Sequence, residues 1–597
     1  MDDTAAGGVS QSLRIMGLTH RIPGPMPHPA SLRPAMLILP VVLLAACATR
    51  TPADADAPTT TLVKIDVPSI QRPSGETAAW WFRNGAAQAA ERGASSARAK
   101  NLILFVGDGM SLPTVAAARI LEGQHAGHPG EEQKLAWEEF PATALSRTYN
   151  TDSQTPDSAG TMSAMATGVK TRLGVLSIGQ QALRGDCNAA QGAPVLTLWE
   201  LAAASGMATG VVTTTRVTHA TPGASFSHSA DRNWENDSDL PAEAKAAGCI
   251  DIARQQVESA YGTGPDVLMG GGRKSFMPTG QRDPEYDDKV GERLDGRDLV
   301  AEWKQRHPTG AYVWNKAQLD AAPADAPLLG LFEPDHMNYE HDRPKDRAGE
   351  PSLAEMTRAA ITRMQRNPNG YVLLIEGGRI DHAHHAGNAF RALTDTIALS
   401  DAVRVAAQMA GDDTLILVTA DHAHTMNFVG YPARGNPILG KVKGGSGEDG
   451  DPARHALDAT GLPYTTLNYA NGPGYAGATD QQPEGPKNAR TDSSGWQQAT
   501  RGRPDLTDID TQDPDYLQES TFPLRSETHG GDDVGIWARG PGSAAVRGSV
   551  EQNTIFHFLL QANPRLRQAL CDAGYCNARG VPQDLPDPAR FKASAAR

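Results

Sequence analysis

Three short apolar runs each end on a carboxylate. Asn101-Leu-Ile-Leu-Phe-Val-Gly107 runs into Asp108, Tyr371-Val-Leu-Leu-Ile375 into Glu376, and Thr414-Leu-Ile-Leu-Val-Thr-Ala420 into Asp421 and His422. None alternates polar with apolar, so these are strands buried on both faces, as in a parallel sheet. Gly210-Val-Val-Thr-Thr-Thr215 is a fourth, and helical patterns such as Pro113 to Glu122 and Ala389 to Met409 lie between them. The expectation is an α/β fold with a central, mostly parallel sheet and helices on both faces. In such folds sites form beyond the carboxyl ends of the strands. One acidic residue there is unremarkable. Three, one followed directly by His, point to a metal centre, because hard divalent cations take anionic oxygens and imidazoles.

Other residues join this set. In Asp381-His-Ala-His-His385 the i, i+4 spacing puts Asp381 and His385 on one face of a helix, within reach of one ion, while His382 and His384 point elsewhere. Glu527-Thr-His529 adds a histidine in a Gly-flanked loop, by itself weak. Pro156-Asp-Ser158-Ala-Gly reads as a helix start. A capping serine is the common use of that pattern. The functional alternative sets the Ser158 hydroxyl at the positive helix end, where a phosphate also binds. No G-x-S-x-G elbow surrounds it, which argues against a hydrolase triad.

The net charge of −14, from 55 Lys+Arg against 69 Asp+Glu, argues against a nucleic-acid partner. Ala35 to Ala46 is too short to span a bilayer and fits a signal-peptide core, with Arg33 as its positive flank. Leu44-Ala45-Ala46-Cys47 resembles a bacterial lipobox with Cys47 as the lipidated residue; an ordinary signal peptide is the alternative. Met26 is a candidate start. The boundaries read as a signal peptide over 26–47, a tether over 48–63, a catalytic domain over 64–576 and a frayed tail over 577–597. Four cysteines remain after Cys47. In an exported protein an even count suggests two disulfides, Cys571 with Cys576 locally and Cys187 with Cys249; four free thiols are the alternative.

Gly107-Asp-Gly-Met110, Pro156-Asp-Ser-Ala159, Thr218-His-Ala-Thr-Pro222, His228-Ser-Ala-Asp-Arg-Asn-Trp234 and Met269-Gly-Gly-Gly-Arg-Lys274 form an ordered set of short motifs. Leu331-Phe-Glu-Pro334, Glu376-Gly-Gly-Arg-Ile-Asp-His382, Val418-Thr-Ala-Asp-His422 and Glu527-Thr-His529 continue it. In these motifs the chain resembles alkaline phosphatases, more the animal-like type than the enterobacterial one. The resemblance implies a phosphate monoester hydrolase working through a phosphoserine on Ser158, with two zinc ions and one magnesium per subunit. It implies one zinc on Asp381, His385 and His529, and a second on Asp108, Asp421 and His422 facing Ser158. Magnesium would sit on Asp108, Thr221 and Glu376. Arg232 would bind phosphate oxygens, with His219, His382 and His424 as supporting residues. A calcium site on Glu285, Phe332, Glu333 and Glu350, the same two disulfides, a homodimer and a crown-like insertion over about 427–525 complete what it implies. The competing functions are a phosphodiesterase or sulfatase of the same superfamily, and a lipoprotein that binds metal or phosphate without catalysis. Ser158-Ala-Gly-Thr-Met lacks the C/S-x-P-x-R context of a sulfatase.

Overall fold

A computed structural model describes residues 62–70, 75–444, 454–459, 461–475 and 503–593. The signal peptide, Cys47, the tether before residue 62 and much of the expected insertion lie outside the described residues.

The strands are β1 (Asn101–Gly107), β2 (Ala142–Arg147), β3 (Ala208–Arg216), β4 (Val267–Gly271), β5 (Ala311–Val313), β6 (Leu328–Leu331), β7 (Tyr371–Gly377) and β8 (Thr414–Ala420). After them come β9 (Ala423–His424), β10 (Met426–Phe428), β11 (Leu467–Gly472), β12 (Ser520–Pro523), β13 (His529–Gly530), β14 (Val534–Arg539) and β15 (Gly548–Glu551). Ten form one sheet in the order β15-β2-β14-β8-β1-β7-β3-β4-β6-β5, in which only β14 runs antiparallel to its neighbours. The unbroken apolar composition of β1 has its reason here. Leu102, Leu104 and Val106 face a core containing Phe82, Met165 and Phe556. Ile103 and Phe105 face a second core containing Val115, Leu393 and Val403.

Register then builds the site. β1 lies between β7 and β8, with Gly107 opposite both Gly377 and Ala420. Asp108 and Asp421 therefore leave adjacent strand ends side by side, and Glu376 sits one step back in β7. β9 pairs with β13 and brings His424 opposite His529. The helix Arg379–His385 follows β7 directly and carries Asp381 and His385.

Disulfides join Cys187 to Cys249 and Cys571 to Cys576, which fits an exported protein. No helix among the described residues is long and apolar enough to cross a membrane. The tail departs from the sequence expectation, because it packs back as far as Ala593. Val581 is buried, Asp584 pairs with Arg83, and the Phe591 ring lies tilted beside that of Tyr575. Its few apolar residues suffice because they meet preformed apolar surface.

Candidate metal centre and active site

Three ligand atoms from two segments meet first. Asp381 Oδ1 lies 3.4 Å from His385 Nε2 and 3.2 Å from His529 Nε2, and the two Nε2 atoms are 3.1 Å apart. Adjacent corners of a tetrahedron with zinc bonds of about 2.0–2.1 Å stand about 3.3 Å apart. His385 Nδ1 donates to the Glu527 carbonyl at 2.5 Å and His529 Nδ1 to the Pro156 carbonyl at 2.8 Å. Both Nε2 atoms therefore carry lone pairs that point at each other, an arrangement a cation resolves. His424 supports this corner: its Nε2 donates to Asp381 Oδ1 at 2.7 Å and its Nδ1 to Glu527 Oε2 at 2.5 Å. Burial opposes charge on His424, but the two carboxylates outweigh it and raise its pKa to about 10. Burial likewise pushes the Asp381 carboxyl up, and the surrounding imidazoles outweigh that and hold it well below its usual range.

A second group surrounds Ser158. His422 Nε2 is 3.3 Å from both Asp108 Oδ1 and Asp421 Oδ2. Ser158 Oγ is 3.3 Å from Asp108 Oδ1 and 3.1 Å from His422 Nε2. Ser158 opens the helix Ser158–Thr167, but the cap is Asp157, whose carboxylate accepts from Gly160 N at 3.0 Å. The capping task falls to Asp157, which leaves the serine hydroxyl free to face the ligands at the positive helix end. Asp421 is held in place by Gly109 N at 3.0 Å, His422 N at 2.8 Å and Thr161 Oγ1 at 3.2 Å.

A third group is defined by unmet need. Asp108 Oδ2, Thr221 Oγ1 and Glu376 Oε1 are buried without a hydrogen-bond partner, and Asp108 and Glu376 are fully buried. Leaving such groups unpaired is costly. Three of them in the positions expected for magnesium fit a hard cation. Burial pushes Glu376 up to about 7, and burial together with Asp421, Asp381 and Glu376 raises Asp108 well above its usual range. Glu376 Oε2 is occupied by Thr213 and Thr215.

Arg232 projects into the same cleft. Its Nη1 donates to Asp157 Oδ2 and its Nη2 to His219 Nε2, both at 3.1 Å. The neighbouring Asp231 pairs instead with Arg184 through two contacts of 2.9 Å, so Arg232 is not a surface arginine neutralised by its neighbour. His382 Nδ1 accepts from Arg379 Nη1 at 3.1 Å. His384 lies apart from the ligand atoms, bonded to Thr114 and Tyr469.

Away from this cleft, Glu285, Glu333 and Asp346 bring carboxylate oxygens within 4.8 Å of one another. Glu350 is buried nearby with Oε2 unpartnered, and Phe332 precedes Glu333 in the chain. Asp346 was not visible in the sequence, where nothing marks its loop as a ligand loop. Asp157 and Glu527 were also missed as working residues; the capping position before Ser158 was the available signal for the first.

A family profile described as alkaline phosphatase matches residues 99–564. An alkaline phosphatase of Gadus morhua is 43% identical over 474 residues, covering 78% of this chain and 92% of that protein. The tissue-nonspecific isozyme of Homo sapiens is 42% identical over 474 residues, covering 78% and 83%. Among solved structures, the alkaline phosphatase of Thermus thermophilus superposes with a TM-score of 0.54 at 24% identity, over 83% of this chain and 96% of that one. That of the Antarctic bacterium TAB5 gives 0.51 at 19% identity, over 78% and 98%.

Proposed function

Since the chain belongs to the alkaline phosphatase family and is a metal-dependent phosphate monoester hydrolase, we propose that Ser158 is its nucleophile and that three divalent ions surround it. The observation that carries this is the convergence on one hydroxyl: Ser158 Oγ stands 3.1 Å from His422 Nε2 and 3.3 Å from the carboxylate of Asp108. Asp381, His385 and His529 would hold one zinc, and Asp108, Asp421 and His422 the other. Asp108, Thr221 and Glu376 would hold magnesium, so Asp108 serves two ions. When bound, these ions stabilise negative oxygens and lower the pKa of a coordinated hydroxyl or water.

The chain's own groups do the rest. Ser158 Oγ forms a bond to phosphorus as the bond to the ester oxygen breaks, and the alcohol departs with a proton. Water then attacks the phosphoserine, which releases inorganic phosphate and restores the hydroxyl. Arg232 forks onto non-bridging oxygens, oriented by Asp157, which also caps the helix behind Ser158. His424 and Glu527 keep Asp381 turned toward its ion.

The proposed setting is an exported lipoprotein anchored through Cys47, supported by the lipobox-like Leu44 to Cys47 and by two disulfides. We read the assembly as a homodimer through the region of β10, β11 and β12, where Phe428, Tyr431 and Phe522 are exposed. Calcium on Glu285, Glu333 and Glu350, with Asp346 as an added carboxylate and the Phe332 carbonyl, is the proposed role of the outlying cluster. The test of the central claim is acid trapping with labelled phosphate. Label should be recovered on Ser158, and recovery on another residue overturns the assignment.

A further inference from the structure

A third imidazole stands beside the two expected ones. His336 lies on the loop after β6, and its ring centroid is 4.2 Å from that of His382 and 5.3 Å from that of His219; the latter two are 5.4 Å apart. All three pairs meet edge to face, with interplanar angles of 61°, 80° and 62°. That arrangement is attractive between ring faces and edges. His336 is itself anchored. Arg216 Nη1 donates to its Nε2 at 2.5 Å, and the Arg216 main-chain N lies 3.2 Å from its Nδ1. Arg216 is held in turn by Glu235 through Nε and Nη2, at 2.8 and 2.6 Å, and by Asp335 at 2.5 Å.

The triangle borders the phosphate-binding arginine. Arg232 Nη2 donates to His219 Nε2 at 3.1 Å, and Arg379 Nη1 donates to His382 Nδ1 at 3.1 Å. Each of these imidazoles thus spends its lone pair on a guanidinium, and the remaining N–H is set by how the ring is turned. His219 has its Nδ1 buried and without a partner, so no hydrogen bond on that side fixes its orientation. Packing then contributes to it, and the rings that meet His219 edge to face are those of His382 and His336.

We propose that His336 is a positioning residue for the phosphate pocket, holding the rings of His382 and His219 and, through His219, the guanidinium of Arg232. This rests on the reading that Arg232 binds the phosphate. His336 touches neither the ligand atoms nor Ser158, so it acts through its neighbours. A ring is what the role requires, since Arg216 keeps Glu235 and Asp335 as partners whether or not residue 336 accepts from it.

Three variants separate ring from acceptor. His336→Ala removes both, His336→Gln keeps a polar acceptor, and His336→Phe keeps a ring. The measurements are kcat/KM on a phosphate monoester and the competitive inhibition constant of inorganic phosphate, with metal content and thermal midpoint determined on the same samples. Alanine and glutamine should each weaken phosphate inhibition about three- to tenfold and lower kcat/KM by a similar factor. Phenylalanine should recover most of both, with metal content and midpoint as in the parent. Unchanged phosphate inhibition in His336→Ala, a phenylalanine variant no better than alanine, or a loss explained by missing metal or a lowered midpoint overturns the proposal. Arg232→Ala is the control. If it leaves phosphate inhibition unchanged, the underlying reading fails; if it weakens inhibition while His336→Ala does not, only this inference fails.

Discussion

Carboxylates gather at two places in this molecule, and their surroundings differ. At the carboxyl ends of the central strands, most have named donors: Asp381 has His424, and Asp421 has Gly109, His422 and Thr161. Imidazoles and main-chain N–H groups offset much of the charge, so the pocket is organised by the chain itself. In the outlying cluster, Glu285, Glu333, Asp346 and Glu350 stand together with no histidine among them. Both oxygens of Asp346, one of Glu285 and one of Glu350 are buried without partners. Arg273 reaches Glu285 at 3.0 Å, Tyr286 and Asn338 donate to Glu333, and Asn338 N donates to Glu350, but neutral donors and a guanidinium shared with Asp283 do not offset four carboxylates. The first region is built to hold cations in a working geometry. The second is tolerable to the fold only with a cation or with protons.

The largest effect that tests this contrast belongs to Asp108. Its Oδ1 faces Ser158 and His422, while its Oδ2 is the unpartnered atom beside Thr221 and Glu376. Asp108→Ala should therefore empty two metal positions with one substitution. Elemental analysis should show two fewer ions per chain, and kcat/KM on a monoester should fall by at least about a thousandfold. Full metal content with retained turnover would break the claim that these oxygens serve two ions.

Arg232 should cost less, since its removal leaves every metal ligand in place. Losing a charge-assisted hydrogen bond is worth roughly 1.5–3 kcal/mol, or about ten- to hundredfold in kcat/KM. A monoester offers three non-bridging oxygens and two charges, whereas a diester offers two oxygens and one charge. Arg232→Ala should thus lower monoester hydrolysis more than any measurable diester hydrolysis. Equal losses on both substrates would refute a role in recognising the monoester group.

How far each part was legible in the sequence follows from whether local pattern or long-range register determines it. Asp108, Glu376 and Asp421 were visible because each ends a buried strand, and the pairing of β1 with β7 and β8 turns three sequence positions into neighbours. Asp381 and His385 were visible through helical spacing. His529 was a lone loop histidine whose place depends on β13 pairing with β9, an event no local pattern announces. Asp157 was hidden behind the serine it serves: the pattern shows a cap, and only the structure shows which residue takes it. His336 and Asp346 sit in loops without periodicity, so the fold alone gives them their neighbours. The tail was misjudged because its polar composition says nothing about the apolar surface it covers.

The smallest expected effect concerns the outlying cluster and reads on stability rather than activity. Burial, with Glu285, Glu350 and Asp346 adding to it, raises Glu333 to about 9, and burial raises Glu285 and Glu350 to about 7. Between about pH 4.5, where an unfolded glutamate releases its proton, and about pH 9, the folded chain holds protons that the unfolded chain has lost. Unfolding then releases protons, so metal-depleted protein should lose stability as pH rises through that window. Added calcium supplies the missing positive charge and should flatten the slope, most visibly near its upper end. Glu333→Gln removes the most strongly perturbed carboxyl and should flatten the slope without calcium. In a chain of this size each kcal/mol shifts the thermal midpoint by only about one degree, so the expected difference is on the order of one degree. A midpoint that rises with pH in metal-depleted protein, or a calcium effect undiminished in Glu333→Gln, would show that this cluster is compensated like the one at the central strand ends and that the contrast between them is false.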